Sequence, residues 1–225
     1  MKKFEITSGT IVASDPCYEI PTWCQGIIEK VKKGIWVAHV QKSDEGDWGT
    51  RNAELTITHE NHQSVYFTGM DVLNFSGGVD SGQFGFFDKD FYRKDKVVGD
   101  LIKQDFGENY DREDGDVWYR ACCAVTLGNE DGKKDGDWGN VGNFGVVASS
   151  GYGDGSYPVF GVKDGNNEYV GFKVVFIGEE EEDEDEETCE DCGESFHYCS
   201  CEEDGDVCGV CNEEKDECIC DDDEE

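Results

Sequence analysis

Cys189, Cys192, Cys199 and Cys201 recur as Cys208, Cys211, Cys218 and Cys220, each displaced by 19 residues. This C-x2-C-x6-C-x-C unit, written twice, lies in a segment that cannot fold by burying apolar surface. Residues 179–225 carry 25 acidic side chains and one basic one, Lys215, for a net charge of −24. Their larger apolar side chains are few: Phe196, Tyr198, Val207, Val210 and Ile219. Something other than a core must order such a chain. Paired thiols at C-x2-C spacing converge on a point, Gly193 suits the tight return after Cys192, and four thiolates make a closed tetrahedral zinc site. Binding such an ion supplies folding free energy of order 10 kcal/mol or more in small zinc peptides.

The sequence therefore predicts two zinc ions on the eight cysteines. In a sequential arrangement each 19-residue unit closes its own site. In a cross-braced one, Cys189 and Cys192 join Cys208 and Cys211, as in a zinc ribbon. The self-contained repeat favours the sequential form. An iron–sulfur cluster uses the same donors and is the runner-up. Disulfides are disfavoured: "MKKFEITSGT" has no apolar region after its lysines, so no secretory route is expected and the thiols stay reduced. His197 is spare, because four sulfurs already complete each site. A module with a single lysine is a poor ligand for phosphate, so direct nucleic-acid binding by the tail is not expected. A basic protein surface is the expected partner, with charge speeding encounter. No apolar run is long enough to span a membrane, and a cytoplasmic location is expected.

The nine carboxylates of "EEEEDEDEE" (179–187) repel one another and mark a solvated linker over 179–188, ahead of a module at 189–220 and an acidic end at 221–225. Residues 1–178 are different. They hold all five Trp, twelve of thirteen Phe and eight of nine Tyr, which is enough for one core.

Within 1–178 the segments 10–14, 35–40, 54–59, 64–69, 116–127, 144–149, 157–162 and 168–177 are rich in β-branched and aromatic residues between Gly, Asp and Asn turns, and they read as strands. "KDGNNE" joins the last two as a hairpin. "PTWCQGIIEKVKKG" reads as a helix over about 22–33, with Trp23, Ile27 and Val31 at steps of four and lysines at its end. "DLIKQDFG" (100–107) is a candidate short helix. The expected class is α+β, a mostly antiparallel β body with one clear helix. "DREDGD" (111–116) fails the calcium-loop pattern, and the repeated Asp-Gly pairs read as turns.

Three stretches concentrate unusual residues: "SGTIVASDPCY", "VDSGQFGFFD" and "SGYGDGSYPVF". In combination they resemble an uncharacterised family found in bacteria and tailed phages, over roughly residues 1–178. The resemblance implies a cytoplasmic protein, phage- or bacteria-encoded, and no catalytic residue. Asp15, Asp80 and Asp154 each stand beside Gly, Pro or Ser at a strand end. Converging, they could hold a hard cation or do acid–base chemistry; apart, each accepts hydrogen bonds in its own turn. Cys17 with His39 is a conceivable nucleophile and base. Of Cys122 and Cys123, at least one should be core, and His59 and His62 flank a turn. No phosphate loop, dinucleotide fingerprint or zinc-protease motif is present. The favoured function is a non-catalytic binding or accessory protein whose zinc module contacts a protein. The alternatives are a small hydrolase or nucleotide-binding protein using the three aspartates, and an acidic mimic of nucleic acid.

Overall fold

The computed structural model describes residues 1–64, 71–94, 117–127 and 137–178. The expected strand over 64–69 (all but Ser64), the helix over 100–107, "DREDGD", the linker and all eight tail cysteines lie outside the described residues. Eleven strands are described: β1 (Lys2–Ile6), β2 (Thr10–Ser14), β3 (Gly26–Glu29), β4 (Gly34–Asp44), β5 (Thr50–His59), β6 (Asp71–Val79), β7 (Gln83–Asp88), β8 (Trp138–Asn140), β9 (Gly145–Ser149), β10 (Gly155–Lys163) and β11 (Tyr169–Val175). One α-helix, α1 (Val117–Leu127), completes the described elements beside two single 3-10 turns. The strands form a six-stranded sheet, β1-β4-β5-β11-β10-β6, and a five-stranded sheet, β3-β2-β7-β9-β8. Every strand pairing is antiparallel. No described helix is long and apolar enough to cross a membrane.

Strand alternation builds two apolar layers. Trp36 and Ala38 of β4, Leu55 and Ile57 of β5 and Phe172 and Val174 of β11 face Ile11 and Ala13 of β2, Phe84 and Phe86 of β7 and Val146 and Ala148 of β9. Phe172 stacks on both Trp36 and Phe86, with centroids 5.8 and 5.9 Å away. The neighbours of these residues in sequence, Val12, Phe87 and Val147, point to the other side of the five-stranded sheet. There they meet Trp118, Ala121, Cys122 and Val125 of α1. The order of layers is sheet, sheet, helix. β7 is therefore covered on both faces, which is why "QFGFFD" is buried at every position.

Two expectations need correction. Residues 22–33 are not a helix. The stripe of Trp23 and Ile27 faces outward, at 89% and 40% exposure. β3 instead pairs Ile28 with Ile11 of β2, burying alternate residues. Lys30, with φ of 58°, and Gly34, with φ of 125°, then turn the chain into β4. Pairing with a buried strand outweighs a local pattern that two adjacent isoleucines satisfy equally well as a strand. Conversely, the expected strand over 116–127 is a helix from Val117 to Leu127. Trp118, Ala121, Cys122 and Val125 recur at steps of three, one and three and form the buried stripe of α1. Cys122 is core, and Cys123, one residue round the helix, is half-buried.

His59 ends β5 under the sheet, 4% exposed. Its Nδ1 accepts from the Asn61 N–H at 3.3 Å, so Nε2 carries the proton towards the Lys33 carbonyl at 3.2 Å. Its ring lies edge-on to Trp36 and to His62. Burial depresses its pKa, and the Lys33 carbonyl only partly offsets this. The folded state thus prefers neutral His59 more than the unfolded state does. Its contribution is whole above the unfolded value of about 6.5 and is lost as pH falls through that value, until the folded ring itself protonates. Melting from pH 8 to 5 should cost wild type more stability than His59→Asn; parallel curves would refute this.

Candidate functional site

Asp15 follows β2 directly and is fully buried. Because Pro16 has no N–H, the local bond skips to Cys17, whose N–H reaches Asp15 Oδ1 at 2.8 Å. The other three bonds come from the β6–β7 turn. Ser81 Oγ donates to Oδ1 at 2.7 Å, and the N–H groups of Asp80 and Ser81 donate to Oδ2 at 2.9 and 2.7 Å. One carboxylate therefore ties "SDPCY" to "VDSG". The same turn holds the third motif: Ser150 N–H donates to the Gly82 carbonyl at 3.0 Å. Gly82 and Gly153 are so close that a Cβ on Gly82 would lie 3.9 Å from the Gly153 Cα. Ser150 Oγ and Tyr157 Oη close that loop on the Gly153 carbonyl at 2.7 and 2.8 Å.

The "SDPCY" loop is pinned from beneath as well. Tyr92 Oη donates to the Tyr18 carbonyl at 2.7 Å, and Arg93 reaches the Pro16 and Cys17 carbonyls at 2.9 and 3.0 Å. Buried Gln25 donates to Ser14 Oγ at 2.8 Å and accepts the Thr22 N–H at 2.9 Å. At the far end of β7, buried Asp88 repeats the device. Its Oδ2 takes the Thr7 N–H and hydroxyl and the Ser8 N–H, and its Oδ1 takes the Asp90 N–H. Burial pushes the Asp88 pKa up, but these donors together hold it below the usual range.

The three motif stretches thus meet at one end of the five-stranded sheet, and the aspartates divide. Asp15 is a buried hub, bonded across two loops rather than within its own turn. Asp80 and Asp154 are exposed. Among the described residues no group of three or more His, Cys, Asp or Glu is arranged to hold a metal ion. Asp80 hydrogen-bonds Tyr18; burial first, then this bond and neighbouring Cys24, push the Tyr18 phenol up. Burial, then the hydrogen bond and charge of Asp15, push the Cys17 thiol up to about 12, which suppresses its thiolate. His39 is not brought to Cys17. It stands exposed on β4, opposite Thr56, over a depression of about 240 Å³ shared with Gln41, Glu54 and Thr58.

Ser81, Gln25, Tyr92, Arg93 and Asp88 were not singled out by sequence. Only the "SGQFGFFD" context hinted at Ser81 and Asp88, since polar groups flanking a fully apolar strand must find partners when buried. A second surface feature is a groove of about 500 Å³ between β3 and β6, walled by Ile27, Val72, Phe75 and Tyr169. Compared with known families, residues 4–174 match the model of the family described as Protein of unknown function (DUF4241). No curated protein and no solved structure matches.

Proposed function

We propose, for a chain that belongs to the DUF4241 family, the role of a non-catalytic binding protein: a pinned body joined to a two-zinc module that engages a basic protein surface. The observation that carries this reading is the use made of Asp15. Both its oxygens are occupied by four donors in a buried setting, so it serves as a clasp between loops rather than a free acid, base or cation ligand. That removes one member of the Asp15, Asp80 and Asp154 set on which a hydrolase or nucleotide site would depend. The tail supplies the chemistry of attachment. Its donor set is eight thiolates in two like groups, which suits Zn²⁺ better than harder cations. Cys189, Cys192, Cys199 and Cys201 would hold one ion, and Cys208, Cys211, Cys218 and Cys220 the other. The surrounding carboxylates favour a cationic partner in the cytoplasm of the cell that makes the protein.

Full-length reduced protein should carry two zinc equivalents by elemental analysis, and Cys192→Ser should retain about one. Protein prepared without chelator yet free of zinc would sink the module, and iron with visible charge-transfer bands would replace it with a cluster. The body is tested separately. Adding Mg²⁺ or Ca²⁺ should shift the melting temperature of neither wild type nor Asp80→Asn. A cation-dependent rise in wild type that Asp80→Asn abolishes would restore the carboxylate-site reading.

A further inference from the structure

Along one side of the body the two sheets present their edges together. β3 ends the five-stranded sheet and β6 ends the six-stranded one, and among the described residues neither edge carries a further strand. The two edges are joined where the Gly78 N–H donates to the Cys24 carbonyl at 3.3 Å, just ahead of β3. Next along, the Phe75 ring covers Gly26 so closely that a Cβ there would fall 2.0 Å from the ring tip. Beyond that plug the edges part, and the groove of about 500 Å³ opens between them.

The groove has the chemistry of a strand template. An edge strand presents alternate N–H and C=O groups that no ladder uses. Such edges are ordinarily guarded by lysine or proline, and "DVLNFSGGV" of β6 has neither. Its walls are apolar yet left in water: Val72 is 60% exposed and Ile27 faces outward beside it, with Tyr169 also lining the groove. Charge names the kind of strand. Glu29 is the one charged side chain lining the groove among the described residues, and the whole chain carries a net charge of −34. Two copies of so acidic a chain repel, whereas a cationic segment is drawn in.

We propose that the seam between β3 and β6 takes an extended, cationic segment of a partner protein as an added strand. The segment pairs with the free edge of β6 from Val72 to Phe75. Its alternate apolar side chains turn towards Ile27 and Tyr169, and the basic ones between them stay in water. The inference shares the cationic partner of the proposed function but places the contact on the body, so it stands or falls apart from the zinc module.

The test uses the full-length, zinc-loaded protein and two dye-labelled peptides of equal charge. One alternates lysine and valine; in the other the central valines are replaced by proline. The alternating peptide should bind at least about tenfold more tightly, because proline removes ladder donors while leaving the charge unchanged. Amide hydrogen exchange, read by mass spectrometry, should slow along β6 and β3 when it binds. The double variant Ile27→Ser with Val72→Ser, checked for an unchanged melt, should bring the two affinities together. If that variant does not fold, the two peptides and the exchange map on wild type still decide. Equal affinities in wild type overturn the proposal, since attraction to an acidic surface then suffices. Protection elsewhere on the chain overturns it too. So does an edge of β6 that exchanges slowly without peptide: in a monomer the chain itself fills the seam, and in a dimer seen by sedimentation a second copy does.

Discussion

Asp15→Ala should lower the stability of the protein by about 3–5 kcal/mol, because it strips four hydrogen bonds to one buried carboxylate, each of the stronger charge-assisted kind. The loss is not only of attraction. The N–H groups of Cys17, Asp80 and Ser81 and the Ser81 hydroxyl would all face a small apolar side chain. Water entering the gap would recover part of the cost. Asp15→Asn should rescue little, since its amide NH₂ would be set against N–H donors on one side whichever way it turns. Asp80→Asn should change stability by less than about 0.5 kcal/mol, because its side chain is exposed and only its backbone N–H serves the clasp. Denaturant titration of the three variants checks the order. Equal small losses at Asp15 and Asp80 would return Asp15 to the status of an ordinary turn residue. Because the clasp joins two of the three motif loops, Asp15→Ala should also loosen the β6–β7 turn at Asp80 and Ser81.

The sequence was most readable where a strand has one wet face. β4, β5, β10 and β11 were all legible, because a sheet that packs on one side leaves an alternation that no helix shares. In the five-stranded sheet β2 and β9 were read, at 10–14 and 144–149, but β3, β7 and β8 were not. β7 carries no alternation, since α1 covers its second face, and glycines dilute its apolar count. The helix itself was hidden for the opposite reason. "ACCAV" offers small, weakly discriminating residues, and the stripe of Trp118, Ala121, Cys122 and Val125 becomes visible only once a period of 3.6 is imposed. β3 was misread because two neighbouring isoleucines fit either period. At the site, the aspartates of the three motifs were visible as residues with a task. What separated the clasp from the exposed pair was burial, and burial of a carboxylate depends on donors 65 and 66 residues away, at Asp80 and Ser81, which no local pattern reports.

The second large effect belongs to a glycine. Phe87 lies across two of them. A Cβ on Gly85 would fall 2.3 Å from the tip of the Phe87 ring and 2.4 Å from the Val146 carbonyl oxygen, and a Cβ on Gly145 would fall 2.5 Å from the same ring. The ring is thereby laid flat enough to meet Trp118 at 5.1 Å and Tyr92 at 5.4 Å between centroids. This aromatic group is what seats α1 on the sheet. Gly85→Ala cannot be absorbed by the flexible end of a side chain, because one obstacle is the backbone of β9. Either the β7–β9 ladder spreads or Phe87 swings away from Trp118. We expect a loss of about 3 kcal/mol or more, at the upper end of overpacking costs. In a body of this size that is a fall in melting temperature of about 6–12 °C. Near-UV circular dichroism should lose aromatic signal while far-UV signal stays, since the helix is unseated before the sheets unfold. A variant that melts with wild type would show that Phe87 has room to move and that α1 is held by other contacts.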